Sequence, residues 1–267
     1  MALRTLPHFS SILGDTFQLA RARLGTLVVL ATVPAVPLLL FSPFIAQALF
    51  ALDQGAVTVD DVVSYISSWT SVLALIGMLL GVVVSIVSTA GMLFTLSAAH
   101  DPGPRTALQH GFQRWLPFVG TQILTTLAVF VVMLPGLLFL LWTQKLLGFS
   151  LATDIRGLSL GALLISILLL LPALLVATWY AFSLIPAARG DAWGPDALRF
   201  SHRLVHGASM HVFGLLFAWA VLEFFFSLVL NLLFPGLDLF RGFVHYYATT
   251  ILGSAYLVTV YHALRKA

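Results

Sequence analysis

Cysteine is absent from all 267 residues, which excludes disulfides, thiolate nucleophiles and cysteine-based zinc sites. Charge is scarce as well: Asp, Glu, Lys and Arg together make up 9% of the chain. A soluble domain carries roughly 25%, because water must wet its surface. This chain therefore has too little charge to cover a globule. Neither a Gly-x-Gly-x-x-Gly nor a Walker pattern occurs, which argues against a nucleotide-driven subunit. No convincing cleavable leader opens the chain, since 1–23 is punctuated by Arg4, Asp15, Arg21 and Arg23. The pI near 9.5 rests on only 13 Lys and Arg against 10 Asp and Glu. A surplus that small does not point to nucleic acid as a partner.

What the chain does have is long apolar stretches: 60% of its residues are hydrophobic and the mean hydropathy is +1.03. A helix rises about 1.5 Å per residue, so roughly 20 apolar residues cross a hydrocarbon core of about 30 Å. Charge-free runs of that length or more occupy 24–52, 62–100, 115–144 and 157–188. A fifth, 204–237, is interrupted only by Glu223, and a sixth, 242–264, is bounded by Arg241 and Arg265. The expected fold is all-α and integral to a membrane, with six transmembrane helices at about 25–50, 70–98, 117–141, 158–186, 210–234 and 243–264. The second run is too long for one straight span. Its start, 62–70, is expected at the interface, and the alternative is that the run splits into two spans.

Orientation follows from the placement of Lys and Arg. With six spans, one side receives Arg4, Arg21, Arg23, Arg105, Arg114, Arg189, Arg199, Arg203, Arg265 and Lys266. The other receives Lys145, Arg156 and Arg241, together with Asp53, Asp60, Asp61, Asp154 and Asp238. Ten against three places both termini in the cytoplasm.

The cytoplasmic segments before spans one, three and five have helical period. Their expected apolar faces are Ile12, Leu13, Phe17 and Ala20; Leu108, Phe112, Trp115 and Leu116; and Leu198, Ser201, Leu204, Val205 and Ala208. The second and third follow similar start signals, Asp101-Pro102-Gly103-Pro104 and Trp193-Gly194-Pro195, with proline where a first helical turn tolerates it. Each, with Arg on its polar side, suits the membrane surface. The pattern reads as three units of about 1–100, 101–188 and 189–267, each an interfacial amphipathic helix followed by two spans. The first matches more loosely than the others.

Within this pattern the stretch 171–186 contains Pro172 and runs into the pair Pro186-Ala187. Ala197-Leu198, Ser201, Leu204 and Gly207 then follow the spacing A-L-x-x-S-x-x-L-x-x-G. These residues, with the closing 260–265, resemble the membrane domain attached to some glycerophosphodiester phosphodiesterases and a related group of six-span bacterial inner-membrane proteins. The resemblance covers about 100–267, and the first hundred residues only loosely. It implies a six-helix module of a bacterial cytoplasmic membrane. It does not imply phosphodiesterase activity, which belongs to a soluble barrel domain with carboxylates and histidines around a metal, and these 267 residues contain no such stretch.

Glu223 is the one formal charge inside an expected span, where an ionisable group costs about 2.5–3.5 kcal/mol. Ser227 and Asn231 follow it at one-turn spacing and form a polar stripe. The short turn at 235–241 makes spans five and six an antiparallel hairpin, which sets Thr249, Thr250 or Ser254 at the depth of Glu223 and His245 at that of Asn231. The stripe is either a proton- or cation-sensitive site or a neutral glutamic acid bound to hydroxyls as interhelical glue. His202, His206 and His211 gather near the third interfacial helix, the first two at metal-ligand spacing. No third ligand is evident, so the reading is a titrating, solvated interfacial face without a metal. Gly77 and Gly81 form a Gly-x-x-x-Gly helix contact. Pro34, Pro37 and Pro43 predict an irregular first span, and Pro135 and Pro172 predict kinks.

No catalytic constellation can be assembled from the span residues, and no cofactor is implied. The expected role is a non-enzymatic scaffold, accessory or anchor module in contact with membrane lipids and a protein partner of unknown identity. The alternative is a small transporter or lipid-handling protein built around Glu223.

Overall fold

A computed structural model of the chain describes residues 7–37, 39–43, 69–147 and 160–266, and the regular structure among them is helical throughout. The helices are α1 (Phe9–Ala22), α2 (Leu24–Thr32), α3 (Trp69–Ser97), α4 (Pro104–Leu147), α5 (Leu160–Tyr180), α6 (Leu184–Arg189), α7 (Pro195–Val205), α8 (Ser209–Leu233) and α9 (Asp238–Lys266). Arg4, Asp53, Asp60, Asp61, Asp154, Arg156 and the interfacial stretch 62–68 lie outside the described residues, as does the side chain of Lys145.

Among the described residues five helical stretches are long and apolar enough to cross a membrane: Leu24–Pro43, Val72–Ser97, Pro104–Phe139, Leu168–Arg189 and Ser209–Leu233. They fit a multi-pass membrane protein, because a lipid-embedded backbone must satisfy its own amides and a helix does so within one segment. Their outer faces are apolar to match: Leu79, Val82, Leu168, Phe224 and Leu232 are all more than half exposed. The expected sixth span, 243–264, lies within the 29 residues of α9. His245, Tyr246, Tyr247, Thr249 and Thr250 lower its hydropathy, and it is not among the five.

The first span is irregular where its prolines fall. α2 ends at Thr32, a turn covers Val33 and Pro34, and helix resumes at 35. α3 runs unbroken through 69–97, so no division of the second hydrophobic run falls there. Pro135 and Pro172 sit inside continuous helices. The third span departs from expectation at its start. The segment 105–116 was expected as a separate interfacial helix, yet α4 continues across Pro117 without a break. At the corresponding place after α7, Gly207 takes φ +87° and turns the chain; Trp115, Leu116 and Pro117 offer no residue that adopts a left-handed conformation cheaply.

By contact the chain forms two compact units, one of Pro117–Val229 with the two chain ends, the other of Ser10–Leu116 with Leu230–Thr259. In the second, α2 packs on α3 through polar groups as well as Leu27, Leu30 and Ala90. Ser88 Oγ donates to the Leu30 carbonyl. Arg23, between α1 and α2, donates through Nη1 to the Thr95 carbonyl and through Nη2 to that of Ala98, at 2.7 Å. These carbonyls lie in the last turn of α3 and just past its end, where a helix has no internal donors left. Thr26 Oγ1 donates to Asp101 Oδ2 at 3.0 Å, while Asp101 Oδ1 accepts the Gly103 amide at 3.1 Å. Burial lowers the pKa of the Arg23 guanidinium from its ordinary value, and the charge of Asp101 offsets part of that shift.

Between α3 and the start of α4 the backbones nearly touch. A Cβ on Gly91 would come 2.8 Å from the Ala107 carbonyl oxygen, and one on Gly111 would run into that of Val87. Lipid offers apolar side chains no hydrophobic gain from meeting each other, so association relies on such close approach and on interhelical hydrogen bonds. Gly77 instead leaves room for a side chain, that of Phe41, which a Cβ there would meet.

The residues that the surface helices bury against the protein form a narrower stripe than their apolar faces. In 105–116 the structure buries Ala107 and Gly111 and leaves Phe112 and Leu116 exposed. In α1 it buries Ile12, Thr16 and Ala20 and exposes Phe17. In α7 it buries Ala197, Ser201 and Val205, with Ala208 just beyond the helix.

Candidate functional site

The first unit holds the most developed polar arrangement, where α5, α6 and α7 meet. Pro186 has no amide to offer the Phe182 carbonyl. That carbonyl instead accepts the Ile185 amide at 3.2 Å, and the chain makes a turn at 181–183 between α5 and α6. The break frees backbone groups in a buried place. Ser201 of α7, itself fully buried, takes up two of them: its Oγ accepts the Phe182 amide at 3.2 Å and donates to the Trp179 carbonyl at 2.7 Å. Ser183 and Thr125 of α4 share a hydroxyl contact of 3.0 Å beside it.

α7 is fixed at its start as well. Gly194, at φ +55°, precedes Pro195 at the first helical turn, and its amide donates to Thr121 Oγ1 of α4 at 2.8 Å. Thr121 in turn donates to the Pro117 carbonyl at 2.8 Å. Two buried hydroxyls, Thr121 and Ser201, thus anchor an 11-residue amphipathic helix just before its first residue and at its middle.

Along the outer edge of this helix lies a pocket of about 650 Å³, lined by Tyr180, Asp196, Leu198, Arg199, His202 and Arg203 together with Pro195. The His202 ring stacks on Trp179 with centroids 5.1 Å apart and planes 6° from parallel. Its Nδ1 is buried without a hydrogen-bond partner among the described residues. Arg199 pairs with Asp196 at 3.5 Å, both side chains being highly exposed, so the pair contributes little.

The histidines expected to gather here do so in part. His202 and His206 meet edge to face at 5.6 Å, and His206 and His211 are both exposed. Among the described residues no three His, Cys, Asp or Glu side chains come close enough to hold a metal ion.

The other expected site is spread along the chain. Glu223 and Ser227 are half-buried on α8 in the first unit. Glu223 makes no hydrogen bond or ion pair among the described residues. Asn231, Thr249, Thr250 and Ser254 belong to the second unit. There Asn231 accepts Arg241 Nη1 at 2.5 Å, and Arg241 also pairs with Asp238. Thr249 donates to the His245 carbonyl of its own helix at 2.9 Å.

Sequence pattern marks Ser201 only as part of an apolar face and Arg199 and Arg203 only as charges on the cytoplasmic side, and it assigns Tyr180 no role. The one-turn spacing of Arg199 and Arg203 was a legible signal. That Tyr180, at the end of another helix, closes the pocket was not. No protein-family model, curated protein or solved structure matches this chain.

Proposed function

We propose that this protein is a non-enzymatic scaffold or accessory module of a bacterial cytoplasmic membrane, with six spans and both termini in the cytoplasm. The observation that carries this reading is the double anchoring of α7 by Thr121 and Ser201. Chemistry needs groups that move protons or charge; here the buried polar groups are used to hold a surface helix in place, as a docking platform requires. α9 serves as the sixth span: its 29 residues extend about 43 Å, enough to cross a hydrocarbon core of about 30 Å.

The threefold plan belongs to the same proposal. Each surface segment has a buried stripe that includes small residues: Ile12, Thr16 and Ala20; Ala107 and Gly111; Ala197, Ser201 and Val205. Both Gly103 and Gly194 take positive φ just before a helix that begins on proline. The resemblance to the membrane domain of glycerophosphodiester phosphodiesterases is in keeping with an anchoring role, and the partner of such a module is another polypeptide.

Native mass spectrometry of the full chain released from lipid nanodiscs tests this. A polypeptide bound at fixed stoichiometry, separable and able to rebind on mixing, is the expected result. Rapid solute flux by the purified protein in proteoliposomes would overturn the scaffold reading. Flux that also falls on Glu223→Gln would favour the second reading, a transporter or lipid-handling protein. That reading is supported by Glu223 lying half-buried on an apolar helix with no hydrogen bond among the described residues.

A further inference from the structure

The pocket beside α7 collects hydrogen-bonding groups that the protein itself leaves unused. Tyr180 Oη and His202 Nε2 have no hydrogen-bond partner among the described residues. Arg203 commits only Nε, to the Arg199 carbonyl at 3.4 Å, so both terminal nitrogens of its guanidinium are open. Arg199 has the long, exposed contact to Asp196 and nothing stronger. Two guanidinium groups against one carboxylate leave the pocket net positive before His202 is counted.

We propose that this pocket binds a phosphate group, carried either by a lipid headgroup or by a small soluble phosphate ester. This goes beyond the scaffold role, which makes no demand on the pocket. The planar fork of arginine matches paired phosphate oxygens, and two arginines one turn apart present two forks toward one tetrahedral anion. The Tyr180 hydroxyl supplies a third donor from α5, a different helix, so the pocket is built by tertiary structure and not by one charged helix face. Its volume of about 650 Å³ falls in the range of small-molecule sites, large enough for a glycerol phosphate moiety. Trp179 beneath His202 and the exposed Trp193 at the turn before α7 are residues that favour the headgroup level of a bilayer. Anchoring of α7 by Thr121 and Ser201 holds the backbone that carries the two arginines, so the helix itself need not be ordered on binding.

The test uses the full chain in detergent, titrated with dioleoyl phosphatidylglycerol or with diolein, which has the same acyl chains and no phosphate, and read by native mass spectrometry. Phosphatidylglycerol is expected to bind in preference to diolein. Arg203→Gln should weaken that binding about fivefold and the double variant with Arg199→Gln about 25-fold, from roughly 1 kcal/mol per arginine near a surface. Arg105→Gln, a charge on the earlier surface segment outside the pocket, should change it by less than twofold. Glycerol 3-phosphate is then added as competitor and, separately, titrated alone. Displacement of the lipid, or direct binding lost in Arg203→Gln, assigns the site to a soluble phosphate ester; retention of the lipid with no direct binding assigns it to the headgroup. Equal binding of diolein, an equal loss in Arg105→Gln, or binding of neither phosphate probe overturns the proposal. Both arginines are exposed, and an unchanged melting temperature in the variants separates lost binding from lost fold.

Discussion

The hydroxyl of Ser201 lies 3.2 Å from the amide nitrogen of Phe182, and both residues are completely buried. The pair joins two helices at the place where Pro186 interrupts one of them. Ser201 is short enough to let α7 approach and polar enough to satisfy what the interruption exposes. Ser201→Ala should keep the approach and lose the hydrogen bonds. Leaving a buried amide and carbonyl without partners costs about 1–3 kcal/mol. Thermal unfolding in detergent should show a clear drop in midpoint, and an unchanged midpoint would mean the break is held by Thr125 and Ser183 instead.

Gly111 and Gly120 lie on the same helix and should respond oppositely to alanine. A Cβ at Gly111 collides with the Val87 carbonyl, whereas one at Gly120 meets nothing within 4 Å. Gly111→Ala should destabilise by about 1–3 kcal/mol through overpacking. Gly120→Ala should be neutral or stabilising by up to about 1 kcal/mol, because alanine favours the helix. Denaturation curves of the two variants, measured side by side, check the contrast.

Arg23→Lys should be poorly tolerated although charge is kept. The guanidinium reaches the carbonyls of Thr95 and Ala98 together, and a single ammonium cannot reproduce that fork. Burial disfavours the charged form, so a lysine there, with its more easily lost proton, would be pushed toward neutrality. Asp101→Asn removes the charge that partly offsets this burial and keeps an acceptor for Thr26. Its effect on the unfolding midpoint should be smaller than that of Arg23→Lys, and the reverse order would place the weight on Asp101.

Glu223→Gln should leave the fold intact or strengthen it. With no hydrogen bond of Glu223 among the described residues, the neutral isostere gives up little and avoids part of the cost of about 2.5–3.5 kcal/mol for an ionised group mid-span. A marked loss of stability would show instead that the carboxylate is structurally engaged.

Because the natural chain has no cysteine, single cysteines report topology directly. With six spans, Arg21→Cys and Lys266→Cys should both react with an impermeant maleimide from the cytoplasmic side, and Leu237→Cys, in the turn before α9, from the opposite side. If α9 does not cross, Leu237→Cys and Lys266→Cys will label from the same side.

Length and hydropathy alone determined the helical class and located five apolar helices to within a few residues at most of their ends, because an apolar run with little charge has one way to satisfy its backbone in lipid. Pro34 and Pro37 likewise marked an irregular first span without reference to any neighbour. Periodicity marked the apolar faces of the surface helices but not the residues that pack on the protein, and for a physical reason. In lipid Phe112, Leu116 and Phe17 lose nothing by facing outward, and the buried places include Gly111, Ser201 and Thr16. The site was legible only as its parts, His202 with the paired arginines. Only tertiary structure set Tyr180 from α5 against Arg203 from α7, because that meeting depends on where Pro186 breaks one helix and how Ser201 holds the next against the break.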